Sequence, residues 1–196
     1  MLLAFTIAAS CAAQEVVVPE CPASVDALPV GPTHEATDPR LRGEHVVVVL
    51  KERRVLGHYA NGALQRCARV GLASGHPSGH KQRQGDLRTP EGWYRTSDKP
   101  TSRWYHAIAI HYPGLDDAER GLRDGLIDQA QHDAIVAAVR ADTKPPQATR
   151  LGGEILFHGG GASDWTLGCI ALEDAAIDEL RAGLPKDLRF WTLILP

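Results

Sequence analysis

Apolar residues fall in short β-branched runs separated by Gly, Pro, Asn and Asp, a pattern that predicts a chain built mostly of strands. Residues 45–50 (His-Val-Val-Val-Val-Leu) show no polar alternation, as expected of a strand buried on both faces. A charged turn from Lys51 to Arg54 leads to a second strand at 55–59. Asn61-Gly62 then marks a hairpin, because both residues tolerate positive φ, and 64–72 returns as a third strand. Residues 73–92 are dense in Gly, Pro, Ser and His and read as a long loop. Strands resume at 93–96 and 104–112, followed by a short strand at 154–158 and a closing strand at 190–195.

Helical spacing occurs in two places. Residues 116–142 form a helical region in which Asp128 is a cap and Ile135, Val136 and Val139 share a face, with Pro145-Pro146 as the stop. Residues 174–184 place Ile177, Leu180 and Leu184 on one face. Together these elements predict a mainly β domain over 44–196 with two or three peripheral helices. Residues 14–43 carry Pro, Ala, Thr and Asp without a period and read as a linker or N-terminal arm. Residues 1–13 are apolar, then small, then Cys11, in the manner of an export signal. Ala8-Ala9-Ser10-Cys11 resembles a lipoprotein cleavage site, which would attach the protein to a membrane through a lipidated Cys11.

Composition narrows the function classes. The chain has 196 residues and a formal net charge of −3 with scattered basic residues, which gives no support for nucleic-acid binding. No apolar run reaches spanning length. There are four cysteines. With Cys11 assigned to the leader and Cys169 to chemistry, Cys21 and Cys67 remain, either as a disulfide that pins the arm to the first hairpin or as two unrelated thiols.

The candidate chemistry lies in Phe157-His158-Gly159-Gly160-Gly161 and Trp165-Thr166-Leu167-Gly168-Cys169-Ile170. A free thiol with a pKa of about 8.5 is only slightly ionised at neutral pH, and a nearby imidazole can take its proton. The Gly168 and Cys169 N–H groups are candidate donors to the oxyanion formed when sulfur attacks a carbonyl. The bland alternative for Cys169 is a buried structural thiol, and for His158 a satisfied strand histidine.

These residues, with Asn61-Gly62, Gly85-Asp86-Leu87-Arg88-Thr89-Pro90-Glu91-Gly92 and Tyr112-Pro113 in the same order, resemble the L,D-transpeptidase catalytic domain family (YkuD-type) over most of 45–195. The resemblance implies a β-sandwich-like fold around a groove and an exported, periplasmic or envelope enzyme of cell-wall biogenesis. Such an enzyme acts on peptidoglycan stem peptides through a thioester, without a cofactor and as a monomer. It implies Cys169 as nucleophile and His158 as base, with the Gly159 carbonyl orienting the imidazole and Gly168 in the oxyanion hole. Arg88, Tyr112, Trp165 and Thr166 are candidate substrate contacts.

Two positions depart from the family's fuller pattern. Leu167 stands where a histidine is usual, and Ala171 where an arginine is. The stretch between His158 and Cys169 is also short. Branches lacking that histidine and arginine include hydrolases or amidases of wall peptides, so an L,D-amidase or carboxypeptidase is the alternative, and a non-catalytic wall-binding protein a second one.

The remaining histidines do not form a metal pattern. His76 and His80 are separated by Pro77 and Gly79, and His106 and His111 face opposite sides of a regular strand. His76 and His80 are further candidates for the groove wall. Trp93, Trp104 and Trp191 read as packing residues, and Trp165 as a wall of the site.

Overall fold

The computed structural model describes residues 20–29, 31, 35–75 and 78–196. Eight strands form one curled sheet: β1 (Val46–Leu50), β2 (Val55–Ala60), β3 (Ala63–Arg69), β4 (Gly92–Asp98), β5 (Ile108–Ile110), β6 (Leu156–His158), β7 (Ile170–Ala171) and β8 (Trp191–Leu195), in the order β3-β2-β1-β8-β4-β5-β6-β7. Three helices, α1 (Leu115–Arg123), α2 (Gln129–Arg140) and α3 (Asp174–Ala182), complete the mainly β fold.

The β4 strand joins the two halves of the sheet. Its first residues, Gly92 to Arg95, pair with β8, whereas Thr96 to Asp98 pair with β5. The chain thus turns from one half to the other and gives the sheet its sandwich-like curl. The main core lies inside, where Val47, Val49, Leu56, Ile108, Ile110, Phe157 and Ile170 meet Ile177, Leu180 and Leu184 of the α3 region. Alternation along the strands sends Val46, Val48 and Leu193 to the opposite face. The first and last strands, β1 and β8, lie side by side in parallel.

Several expected elements are shorter for local reasons. The strand expected at 104–112 is reduced to Ile108–Ile110, because His106 takes φ +46° and frees Trp104 and Tyr105 from the sheet. The helical region splits at Gly125 (φ +67°), after which Asp128 caps α2 reciprocally with Gln131. The strand expected at 154–158 starts only at Leu156, since Glu154 is left-handed at φ +53°.

The arm packs on the domain. Val25, Leu28 and Leu41 are buried beside Val46, Tyr59 and Leu195, so these residues belong to the domain's second core. Their apolar side chains are spaced by 3₁₀ turns (Val25–Ala27, Pro39–Arg42), which carry no long-range period to read. Cys21 and Cys67 form a disulfide with Cα atoms 5.7 Å apart, fixing the arm to β3. Residues 1–13, with Cys11, lie outside the described residues, as does His76.

Candidate active site

β6 and β7 run parallel, with Phe157 opposite Ile170 and His158 opposite Ala171. Extending that register by one residue brings Cys169 beside Leu156, on the sheet face that carries His158. Cys169 packs there with Trp104 against Ala107, Ala109 and Leu156.

His158 is buried, and its Nδ1–H donates to the Gly159 carbonyl oxygen at 2.6 Å, which leaves Nε2 as the acceptor. Burial pulls the imidazole below its ordinary pKa, only partly opposed by that hydrogen bond. The ring stacks on Trp104 (centroids 5.2 Å, planes 18° apart) and meets Trp165 edge-on at 5.4 Å. Trp165 is itself anchored by Nε1–H donation to the Gly161 carbonyl at 3.3 Å. Trp104 therefore belongs to the site rather than to general packing. No spacing pattern links residue 104 to residue 158; only the break in the strand at His106 brings them together.

Cys169 is half-buried and free. Its thiol donates to the Glu154 carbonyl oxygen at 3.4 Å. Burial pushes the thiol up to about 11, against a backbone hydrogen bond from Leu156 that favours the thiolate. The resting pair is thus a neutral thiol and a neutral imidazole.

The turn that presents Cys169 is over-determined. Gly168 has φ +124°, and a Cβ there would lie 2.7 Å from the Arg88 carbonyl oxygen. Its N–H donates to Thr166 Oγ1 at 3.2 Å, and its carbonyl accepts from Thr89 Oγ1 at 3.0 Å. Thr166 Oγ1 in turn donates to the Cys169 carbonyl at 2.8 Å. The Gly168 N–H, the expected oxyanion donor, is thus engaged within the turn, and Thr166, an expected substrate contact, is buried and braces the turn.

The Gly85–Gly92 segment explains its own motif. Asp86 accepts the N–H groups of Gln82, Arg83 and Arg88 and the Lys81 ammonium, which holds the loop against Gly168. Burial opposes ionisation of Asp86, but these donors outweigh it and keep the carboxyl below its usual range. Arg88 is half-buried beside the turn, with its backbone carbonyl on Gly168. Tyr112 is a further correction. It is fully buried, its hydroxyl donates to the Leu151 carbonyl at 3.2 Å, and it supports the core instead of lining a groove. His80 is likewise engaged, bridging Asp117 and the Glu91 N–H. On the other side, Asp164 accepts the Leu72 N–H at 2.6 Å and the Arg54 guanidinium at 3.1 Å, tying the loop before Cys169 to the start of the chain's long loop.

An imidazole at the end of β6 and a thiol in the glycine turn just before the parallel β7 define a candidate cysteine site on a curled β-sheet. The chain belongs to the L,D-transpeptidase catalytic domain family (YkuD), which matches residues 43–186. A similar protein is a putative L,D-transpeptidase, YafK, of Escherichia coli strain K12. It is 31% identical over 105 residues, covering 52% of this chain and 30% of that protein. The chain thus matches less than a third of that relative's length. In fold it is similar to the helical cell shape determining protein Pgp2 of Campylobacter jejuni, with a TM-score of 0.50 and 21% identity, over 76% of this chain and 46% of that one.

Proposed function

We propose that this protein is an exported cysteine acyltransferase that acts on peptidoglycan stem peptides as an L,D-transpeptidase. The observation that carries the reading is that the β6–β7 register puts His158 and Cys169 on one sheet face, with Trp104 packed in the Cys169 cluster and stacked on His158 and the imidazole oriented by the Gly159 carbonyl. Membership of the family supplies the substrate class. The Cys21–Cys67 disulfide supports an oxidising compartment.

In this reading His158 Nε2 takes the thiol proton as sulfur attacks the carbonyl between the diaminopimelate L-centre and the terminal D-Ala. The Cys169 N–H donates to the developing oxyanion. Collapse breaks the C–N bond, the imidazolium returns its proton to the leaving D-Ala amine, and the thioester passes to an acceptor amine. With the thiol at about 11 and the imidazole below its ordinary value, moving the proton before attack costs roughly 6 kcal/mol or more. Proton transfer and attack therefore go together, and His158 acts as a general base rather than as partner to a standing thiolate.

One observation favours hydrolysis as a second reading. Leu167, beside the turn, is 76% exposed, so this side of the acyl-enzyme is open to water. Incubation with a disaccharide-tetrapeptide separates the two. A cross-linked dimer establishes transpeptidation, and D-Ala release alone establishes a carboxypeptidase. Neither product would remove both readings.

A further inference from the structure

The thiol's hydrogen-bond acceptor is an unusual residue. Glu154 is a non-glycine residue at φ +53°, a left-handed conformation that persists only where its surroundings enforce it. Its N–H donates to Gln147 Oε1 at 2.7 Å, and its carbonyl receives the Cys169 thiol. Its carboxylate is shared by two ammonium groups, Lys99 at 2.6 Å and Lys144 at 2.8 Å.

The charges in this cluster do not cancel. Two lysines face one carboxylate, so one positive charge is left over at the residue whose backbone carbonyl holds the Cys169 thiol. Each ammonium has three donors and spends one on Glu154. Both lysine side chains stay about a quarter exposed, at 24% and 25%, so their remaining donors reach solvent. Burial tends to lower Lys144, and a second anion would relieve that.

The lysines come from two separate segments. Lys99 directly follows β4, whose Ser97 pairs with Ala109, which in turn pairs with Leu156. Lys144 follows α2. Their convergence on Glu154 brings cationic groups to the sheet face where Cys169 packs against Ala109 and Leu156. Trp104 of the same cluster stacks on His158 and meets Trp165.

We infer that Lys99 and Lys144 form a carboxylate-binding subsite that selects donor peptides carrying a free carboxylate next to the bond under attack. Glu154 is the resting occupant, and the incoming carboxylate takes the donors that Glu154 leaves unused. This deepens the acyl-transfer reading of the same site and rests on it. A purely structural role, in which the lysines only hold the left-handed turn, makes the opposite forecast for substrate preference.

The test uses the full chain and two probes, a stem tetrapeptide with its terminal carboxylate and the same peptide as a carboxamide. Two readouts are taken: turnover, and protection of Cys169 from iodoacetamide, which needs binding only. The subsite predicts that the wild type prefers the carboxylate form by about tenfold or more in both, the size expected of a charge-assisted hydrogen bond. Lys99→Gln with Lys144→Gln should bring the two probes within about twofold. Glu154→Gly tolerates the left-handed backbone and releases both lysines, and it should lower KM for the carboxylate probe.

Equal use of the two probes by the wild type would overturn the subsite, as would a preference that survives the double substitution. Selective protection without turnover would support the subsite while removing the acyltransferase reading. Turnover without selectivity would do the reverse.

Discussion

The Trp104 indole lies stacked on the His158 imidazole, with ring centroids 5.2 Å apart and planes 18° from parallel. Together with the hydrogen bond from Nδ1 to the Gly159 carbonyl, this contact fixes both the tautomer and the plane of the ring. Trp104 also packs in the cluster that holds Cys169, so one side chain positions both partners. Replacement of Trp104 by Ala should lower kcat about 10–100-fold through lost orientation and lower stability by about 2 kcal/mol, since the side chain is only half-buried. Trp104→Phe, which keeps a stacking surface, should recover most of the rate. Steady-state kinetics and urea unfolding of both variants check this.

The acidity of the pair sets a second expectation. Burial lowers His158 and raises the Cys169 thiol to about 11. The active form, with neutral imidazole and neutral thiol, therefore extends from below pH 6.5 to well above pH 9. The acid limb of kcat/KM should fall at a pH below the ordinary histidine value. Alkylation of Cys169 in the free protein should climb steadily through pH 9 instead of reaching a plateau near neutrality.

Stability should depend on pH through two other histidines. Burial lowers both His58 and His111 to about 4. Unfolded, each takes up a proton near pH 6.5, so the folded state loses stability as pH falls from about 6.5 toward 4. Each contributes up to about 3 kcal/mol across that window. Denaturant unfolding at pH 7 and pH 4.5 should show the drop. An unchanged midpoint would mean that both rings already carry protons when folded.

The disulfide between Cys21 and Cys67 closes a loop across a separation of 46 residues. Replacing both by Ser should cost about 3–4 kcal/mol from restored chain entropy. The buried Val25 and Leu28 should become exposed with it, because the arm is held to β3 at that point. Urea unfolding with and without reductant measures the first effect, and proteolysis within residues 20–29 the second.

Gly168→Ala should abolish turnover while leaving most of the fold intact. The new Cβ would face the Arg88 carbonyl at 2.7 Å in a conformation that L-residues rarely adopt. The turn would have to shift, and Cys169 would shift with it. Circular dichroism and the kinetic assay together distinguish this from unfolding.

Much of this was legible in the chain. The β-branched runs at 46–50 and 191–195 and the Asn61-Gly62 hairpin appear where their patterns place them. The motifs singled out Cys169 and His158, and the β6–β7 register puts both on one sheet face. What escaped depended on backbone conformations without a sequence period: the left-handed His106 that frees Trp104, and the left-handed Glu154 that receives the thiol. Tyr112 misled because its motif says only that it sits near a strand end and not that its ring points into the core. The packing of the arm was not legible, because its scattered apolar residues Val25, Leu28 and Leu41 carry no period, although they are buried in the second core.

The central claim is a thioester on Cys169, and intact-protein mass spectrometry after brief incubation with a disaccharide-tetrapeptide tests it most directly. The account predicts an adduct equal to the donor less its terminal D-Ala, mapped to the peptide carrying Cys169 and absent from Cys169→Ala. Product formation that persists in Cys169→Ala, or turnover by the wild type with the label on another residue, would contradict it.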